Sequence, residues 1–367
     1  MSDDKRPADR RLTERRLSAP GRLSNRDGLL DLDAILEGQG GAVSTMLPPG
    51  DLAEFAVQHG LRPSAQRPPV REYLRQLWRR WNFIMVFATA RNIAMYTEAK
   101  LGQLWQVLTP VLNAGVYFLV FGLLLHVSRG VPNYLPFLVT GVFVFNFTQR
   151  AFISTSKVIT DSLPLIRALQ FPRAALPLAY VIIEFQQMLL SMAVLVVIVL
   201  STGEVPTVYW LLAIPALLLQ TVFNVGVGLF VARIGSQVND FSQLLPFLLR
   251  TWMYMSGVLF SIAGLAIRTH QWIVVVLQIN PAALYISLMR ASLLASDRES
   301  QPGSKPYDAH LCALWKTKLP EYNFDSAYCH GYANTHYFWL IGAGWALLAL
   351  FVGFFFFWRA EAKYGRG

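Results

Sequence analysis

Hydrophobic and polar positions divide the 367-residue chain into a polar head, one amphipathic stretch and a series of long apolar runs. Up to about Pro69 the sequence is rich in Arg, Asp, Gly and Pro and poor in aromatic residues. Such a stretch cannot bury enough apolar surface to offset the entropy of ordering, so residues 1–70 read as a mostly disordered tail. One local exception is DLAEFAVQHG, where Asp51 is placed to N-cap a short helix, with Glu54 at the capping-box position and Gly60 as its stop. This is either a transient helix in a loose tail or a segment that docks onto a partner.

From Arg71 the pattern changes. Leu74, Leu77, Trp78, Trp81, Met85 and Ala88 share one helical stripe, with Arg75, Gln76, Arg79 and Arg80 facing away. Two tryptophans on an apolar face with arginines opposite suit a helix lying in the lipid headgroup region, although a packed amphipathic helix has the same pattern. Residues 71–107 are assigned to this interfacial region.

Six apolar runs follow, at Leu108–Val127, Tyr134–Phe152, Leu176–Leu200, Val208–Ala232, Leu244–Leu265 and Tyr337–Trp358. Each is long enough, at ~1.5 Å per residue, to cross a hydrocarbon layer of about 30 Å. A further apolar stretch, Trp272–Ala295, is broken at Asn280–Pro281 and carries Arg290. The part before the break gives only ~12 Å of helix, so the stretch reads as a re-entrant pair of short helices. The expected fold is an all-α polytopic membrane protein with six transmembrane helices in residues 108–358, and a polar loop at 296–336 inserted before the last.

Composition agrees: 54% of residues are hydrophobic, only 15% are charged, and the mean hydropathy is +0.39. The net charge of +10 raises the question of nucleic acid. Residues 1–75, however, hold 12 Lys/Arg against 11 Asp/Glu, with no basic stripe carrying interleaved aromatics. The excess lies around the spans and sets orientation instead. Arg150, Lys157, Arg167 and Arg173 fall between the second and third spans, and Arg359, Lys363 and Arg366 in the terminal segment 359–367. The opposite loops carry only Arg129 and, in STGEVPT, no Lys or Arg. Both termini are therefore expected in the cytoplasm. No secretory signal is apparent before the first apolar run.

The loop 296–336, expected outside, contains both cysteines, Cys312 and Cys329. They could form one disulfide, remain free thiols, or join His310, His330 and His336 around a metal, although the spacings match no common zinc module. Enzyme signatures are sparse. The one D-x-D, Asp31 to Asp33, sits in the polar tail as chance would place it. The six histidines lie in the tail, at span ends or in the outer loop, and no G-x-x-x-x-G-K-[ST] phosphate loop occurs.

Within the spans, Glu184 and Arg250 fall about 12 and 9 Å from the cytoplasmic end, depths at which a charge pairs or faces water. Either they pair, or Arg250 reaches the headgroups while Glu184 meets water alone. Asn113, Asn146, Gln186, Gln187, Gln220 and Asn224 add amides beside aromatics such as Phe143, Phe145, Phe147, Trp252 and Tyr254. Sugars are bound by this mixture, and helices are packed by it too.

SLPLIRALQFPRAALP, Ser162–Pro177, interrupts the apolar pattern with two arginines and three prolines. Pro164 can start a short helix, Leu165, Ile166 and Leu169 give it one apolar side, and Pro172 can stop it.

Three segments together resemble permease subunits of polysaccharide-exporting ABC transporters. RNIAMYTEAKLGQLWQVLTP carries Leu-Gly-x-x-Trp and a later Pro, LIRALQFPRAALPL carries a Phe-Pro-Arg element, and INPAALYISLMRASLL carries an Asn-Pro element. The long tail and the cysteine-bearing loop are not general features of that family. In these the chain is most similar to permeases of mycobacterial lipid-linked galactan exporters.

The resemblance implies that Leu165, Ile166, Arg167, Leu169, Phe171, Pro172 and Arg173 form a coupling helix against a separate nucleotide-binding subunit, which alone binds ATP and Mg. It implies two such ATPase subunits, a second copy of this chain, and a polyprenyl-pyrophosphate-linked polysaccharide crossing a bacterial inner membrane. Trp78, Arg79, Arg80 and Trp81 would then lie near the entering lipid. Glu184, Arg250, Gln187 and Asn146 would be the polar groups of the channel region. Gln278, Asn280, Pro281, Tyr285 and Arg290 would form the outer gate. Export of a lipid or drug, and membrane glycosyl transfer, are the competing readings.

Overall fold

Pro68 and Pro69 hold the backbone extended, so the first described helix starts just after them, with the Tyr73 amide donating to the Pro69 carbonyl. A computed structural model describes residues 68–97, 100–124, 133–169, 171–238, 240–260, 262, 273, 276–277, 279–294 and 335–361. These belong to one unit, Arg67–Gly367. The head of the chain, Gln278, Cys312 and Cys329 lie outside the described residues.

The amphipathic stretch forms α1 (Val70–Arg79) and α2 (Trp81–Ala94), separated by a single turn residue at Arg80. A 3-10 turn, Gly102–Leu104, leads into α3 (Trp105–Tyr117), which continues as a π-helical segment, Phe118–Leu124. Then come α4 (Tyr134–Ser156), the short α5 (Val158–Asp161) and α6 (Leu163–Ala168), and the long α7 (Ala175–Ser201). A 3-10 turn at Val208–Leu212 opens α8 (Ala213–Gln237). The rest comprises α9 (Phe241–Met255), α10 (Pro281–Leu293) and α11 (Thr335–Arg359). No strand occurs among the described residues, and the protein is an all-α polytopic membrane protein.

Four helical stretches are long and apolar enough to cross a membrane: Tyr134–Ser156, Ala175–Ser201, Val208–Gln237 and Phe338–Arg359. The other two expected spans are shorter. The first is α3 with its π-helical continuation, and the fifth, α9, has 15 residues around Pro246, or about 22 Å of helix.

α4 is the central element. Phe137, Phe143, Phe145 and Phe147 are all buried there, and Trp252 of α9 meets Phe145 edge-on with centroids 5.8 Å apart. The four phenylalanines therefore pack the bundle interior and offer no open sugar face, whereas Trp252 is half-buried and Tyr254 is exposed. The most extensive helix pair is α8 with α11. A Cβ on Gly353 would overlap the backbone of Gly226, so the two helices cross glycine on glycine. Such close backbone approach is how helices gain dispersion contact where lipid competes for every apolar side chain.

α10 spans 13 residues, about 20 Å, which is too short to cross. Asn280 caps it, accepting from the Ala282 amide at 3.1 Å, and Pro281 occupies the first turn. The chain leaves α9 beside the start of α4, where the Tyr134 hydroxyl donates to the Leu259 carbonyl. At the far end of α10, Arg290 also reaches the start of α4, at Phe137. α10 thus ends at the face where α9 ends, the direction that the second arm of a re-entrant pair takes.

Candidate functional site

At the end of the bundle where α4 stops and α7 starts, the linking projection carries α5, α6 and the described residues 171–174. Ser162 precedes α6 without a side-chain cap bond, and Pro164 sits in the first turn. Ile166 is buried against Val158, Ile159 and Ala174, Leu165 is half-buried, and Arg167 is exposed. Two expectations need correction. The helix ends at Ala168, with Leu169 already extended, four residues before Pro172. Leu169 is 48% exposed and so does not join the apolar side.

The return into the membrane is held firmly. Phe171 packs on Phe83 of α2 with centroids 5.5 Å apart, and Pro172 is buried. The Arg173 amide donates to Glu361 Oε1 at 3.0 Å, and its guanidinium donates to the Glu361 carbonyl. The Tyr73 hydroxyl donates to Glu361 Oε2 at 2.8 Å and accepts from the Ala174 amide at 3.1 Å. α1, the start of α7 and the end of α11 therefore meet on one carboxylate. Burial pushes the Glu361 carboxyl above its usual range, against the opposing pull of the Arg173 amide, the Tyr73 hydroxyl and the Arg173 charge. Arg173 is thus engaged within the protein, and Arg167 is exposed.

A second polar cluster lies deeper. Glu184 of α7 does not pair with Arg250. Its Oε2 lies 3.3 Å from Nε of Arg150 on α4, while Arg250 is exposed on α9. The contact lacks hydrogen-bond alignment and acts as charge on charge. α4 runs on to Ser156, past the expected end at Phe152, which draws Arg150 about 9 Å inside the helix end and within reach of Glu184. Beside this pair, Asn92 of α2 donates to Gln186 at 3.1 Å and accepts from Gln106 at 3.1 Å and Gln187 at 3.3 Å. Gln187 is buried within the protomer and Asn146 is half-buried on α4.

This cluster also redefines the amphipathic stretch. Ile84 and Ala88 pack on Ala175, Ala179 and Ile183, so α2 runs alongside α7 in the same direction. Its packed face carries Ile84 and Ala88, whereas Leu74, Trp78, Trp81 and Met85 of the expected stripe are exposed. Trp78 and Trp81 stack at 6.3 Å beside exposed Arg79 and Arg80, leaving an aromatic and basic face turned outward.

At the opposite end, Asn280, Tyr285 and Arg290 of the expected gate bind within the chain. Asn280 accepts from the Trp252 indole at 2.9 Å, and Tyr285 donates to the Gly342 carbonyl at 2.8 Å. Arg290 is buried and donates to the carbonyls of Phe137, Gly257 and Val258 at 2.8 to 3.0 Å, with its guanidinium over the Phe137 ring. A Cβ on Gly141 would strike this guanidinium, so the glycine leaves room for it.

A family model described as ABC-2 type transporter matches residues 82–294, which include the projection, the Glu184 cluster and α10. The chain belongs to the ABC-2 type transporter family. It is 28% identical over 206 residues to the O-antigen export system permease protein RfbA of Klebsiella pneumoniae, covering 55% of this chain and 77% of the relative. It is 24% identical over 190 residues to the protein of the same name in Myxococcus xanthus, covering 52% and 72%. As an ABC-2 transporter the chain is a membrane subunit of a transporter rather than an enzyme. Tyr73, Asn92 and Glu361 escaped the sequence reading, and Arg150 entered it only as a charge that sets orientation, because only the folded chain brings them to their partners.

Proposed function

We propose that this chain is the permease of an ABC exporter that moves polysaccharide outward, the glycan being carried on a polyprenyl-pyrophosphate lipid. A cell-wall galactan or an O-antigen-like chain fits this class. The observation that carries the reading is the family match across residues 82–294 together with relatives named as O-antigen export permeases. Two copies of the chain, with both termini in the cytoplasm of a bacterial inner membrane, work with two nucleotide-binding subunits that hold ATP and Mg. The projection at residues 157–174 is the element suited to meet those subunits: it is short, fixed at both ends, and presents exposed Arg167 and Leu169. The stacked tryptophans with Arg79 and Arg80 provide a surface for an anionic lipid head entering from the side.

The reading is tested on the permease co-purified with its nucleotide-binding subunit and reconstituted in liposomes. Lipid-linked glycan is expected to stimulate ATP hydrolysis. Arg167→Glu is expected to insert normally while weakening assembly, with about tenfold less stimulated hydrolysis, the scale of one charge-assisted contact. Wild-type assembly and turnover in Arg167→Glu would remove the projection from the coupling role. Absence of glycan stimulation in the wild type would remove the substrate.

A further inference from the structure

The turn into α7 is closed by the backbone: the Ala175 amide donates to the Pro172 carbonyl at 2.9 Å and the Leu176 amide to the Arg173 carbonyl at 3.2 Å, while Pro177 has no N–H. The amides of Arg173 and Ala174, which precede the helix, find their acceptors at the two ends of the described unit. Glu361, just past α11, takes the Arg173 amide on one oxygen and the Tyr73 hydroxyl on the other, and Tyr73 takes the Ala174 amide. Glu361 is 7% exposed, and Tyr73 and Glu361 are 288 residues apart in sequence. A negative charge at this position also opposes the positive end of a 27-residue helix. The Trp358 indole donates to the Pro68 carbonyl, which ties the same two segments a second time.

We infer that Glu361 is a positioning residue for transport: directly and through Tyr73 it holds the turn ahead of α7, and so fixes the exit of the projection to α1 and α11. The inference rests on the coupling role of residues 157–174 proposed above. A loose turn would absorb a displacement of the projection. A turn whose Arg173 and Ala174 amides and Arg173 guanidinium are engaged by Glu361 and Tyr73 passes it to α11, and through the glycine contact to α8.

The test uses the complete permease with its nucleotide-binding subunit in liposomes, comparing Glu361→Ala, Glu361→Gln and Tyr73→Phe. Two quantities are read: glycan exported per ATP hydrolysed, and amide exchange at Arg173 and Ala174 in the full chain. Glu361→Ala is expected to speed exchange at both amides and to lower export per ATP about tenfold, the factor one charged hydrogen bond contributes to an equilibrium. Glu361→Gln keeps one acceptor oxygen and should recover part of both. Tyr73→Phe should free the Ala174 amide alone. If Glu361→Ala fails to assemble, Glu361→Gln decides by the same two readings. Unchanged exchange would overturn the tie. Faster exchange with unchanged export per ATP would make the tie structural only and overturn the positioning role. Failure of the coupling role itself shows separately, as a silent Arg167→Glu.

Discussion

Glu184 is the residue at which depth counted along the sequence met its limit. Counting from the expected helix ends placed Arg250 at a matching level, but level says nothing about which side of a helix a residue occupies, and α9 turns Arg250 outward. Arg150 becomes the partner because α4 extends to Ser156. The pair can be weighed by substitution. Removing one member of a fully buried ion pair costs about 3–5 kcal/mol, and the 29% exposure of the Arg150 side chain should hold the cost below that. Glu184→Gln and Arg150→Gln are therefore each expected to lower thermal stability in detergent, and the double change to lower it by clearly less than their sum. The coupling energy should exceed about 0.5 kcal/mol for Arg150 with Glu184 and stay within it for Arg250 with Glu184. Equal coupling in both cycles would show that Glu184 answers to the general field of the bundle rather than to one arginine.

Among the elements, those set by a local pattern were legible and those set by contact were not. Long apolar runs announce helices because burying a backbone in lipid requires every N–H and C=O to be paired within the segment. Accordingly α4, α7, α8 and α11 fall close to the expected runs. The Asn-Pro break announced α10, since proline fixes the first turn and asparagine accepts its free amide. The end of α6 and the burial of Ile84 were not legible, because Ile84 is chosen over Trp78 and Met85 only by the surface that α7 offers, whereas Ala88 already lay on the expected stripe. The α8–α11 crossing was hidden as well: glycines are common in apolar runs, and only the folded chain shows which one another helix touches. Gly353→Ala places a methyl group against the Gly226 backbone, where no side chain can swing aside. It should destabilise the bundle by about 1–3 kcal/mol or force the helices apart. Gly344→Ala, with open space around its Cβ, should change little in the same thermal measurement. Equal shifts for the two would remove the close crossing as a source of stability.

At the scale of the whole molecule, sidedness follows from which helix ends share a face. Gly235 of α8 abuts the backbone of Ser156 at the end of α4, and Arg233 donates to the Phe356 carbonyl near the end of α11. With the Glu361 contact to Arg173, these place the ends of α4, α8 and α11 and the start of α7 on one face. The opposite face holds the start of α4, the residues after α9 and the end of α10. α10 ends on the face where α9 ends, the same face on which Glu204, next to Val205, accepts from Asn133 at 2.9 Å, and α11 runs from that face to the Ser156 face. The excess of arginine and lysine on the Ser156 face then orients the molecule. Labelling of intact cells with a membrane-impermeant maleimide checks this. In a Cys312→Ser, Cys329→Ser background, Val205→Cys, which replaces a 69% exposed residue, should react without permeabilisation. Asp161→Cys, also exposed, should react only after permeabilisation. In the otherwise unaltered chain, Cys312 and Cys329 should label from outside once reduced. If they label from the side of Asp161 instead, the segment around Asn280 crosses completely, and the two-armed re-entrant arrangement is wrong.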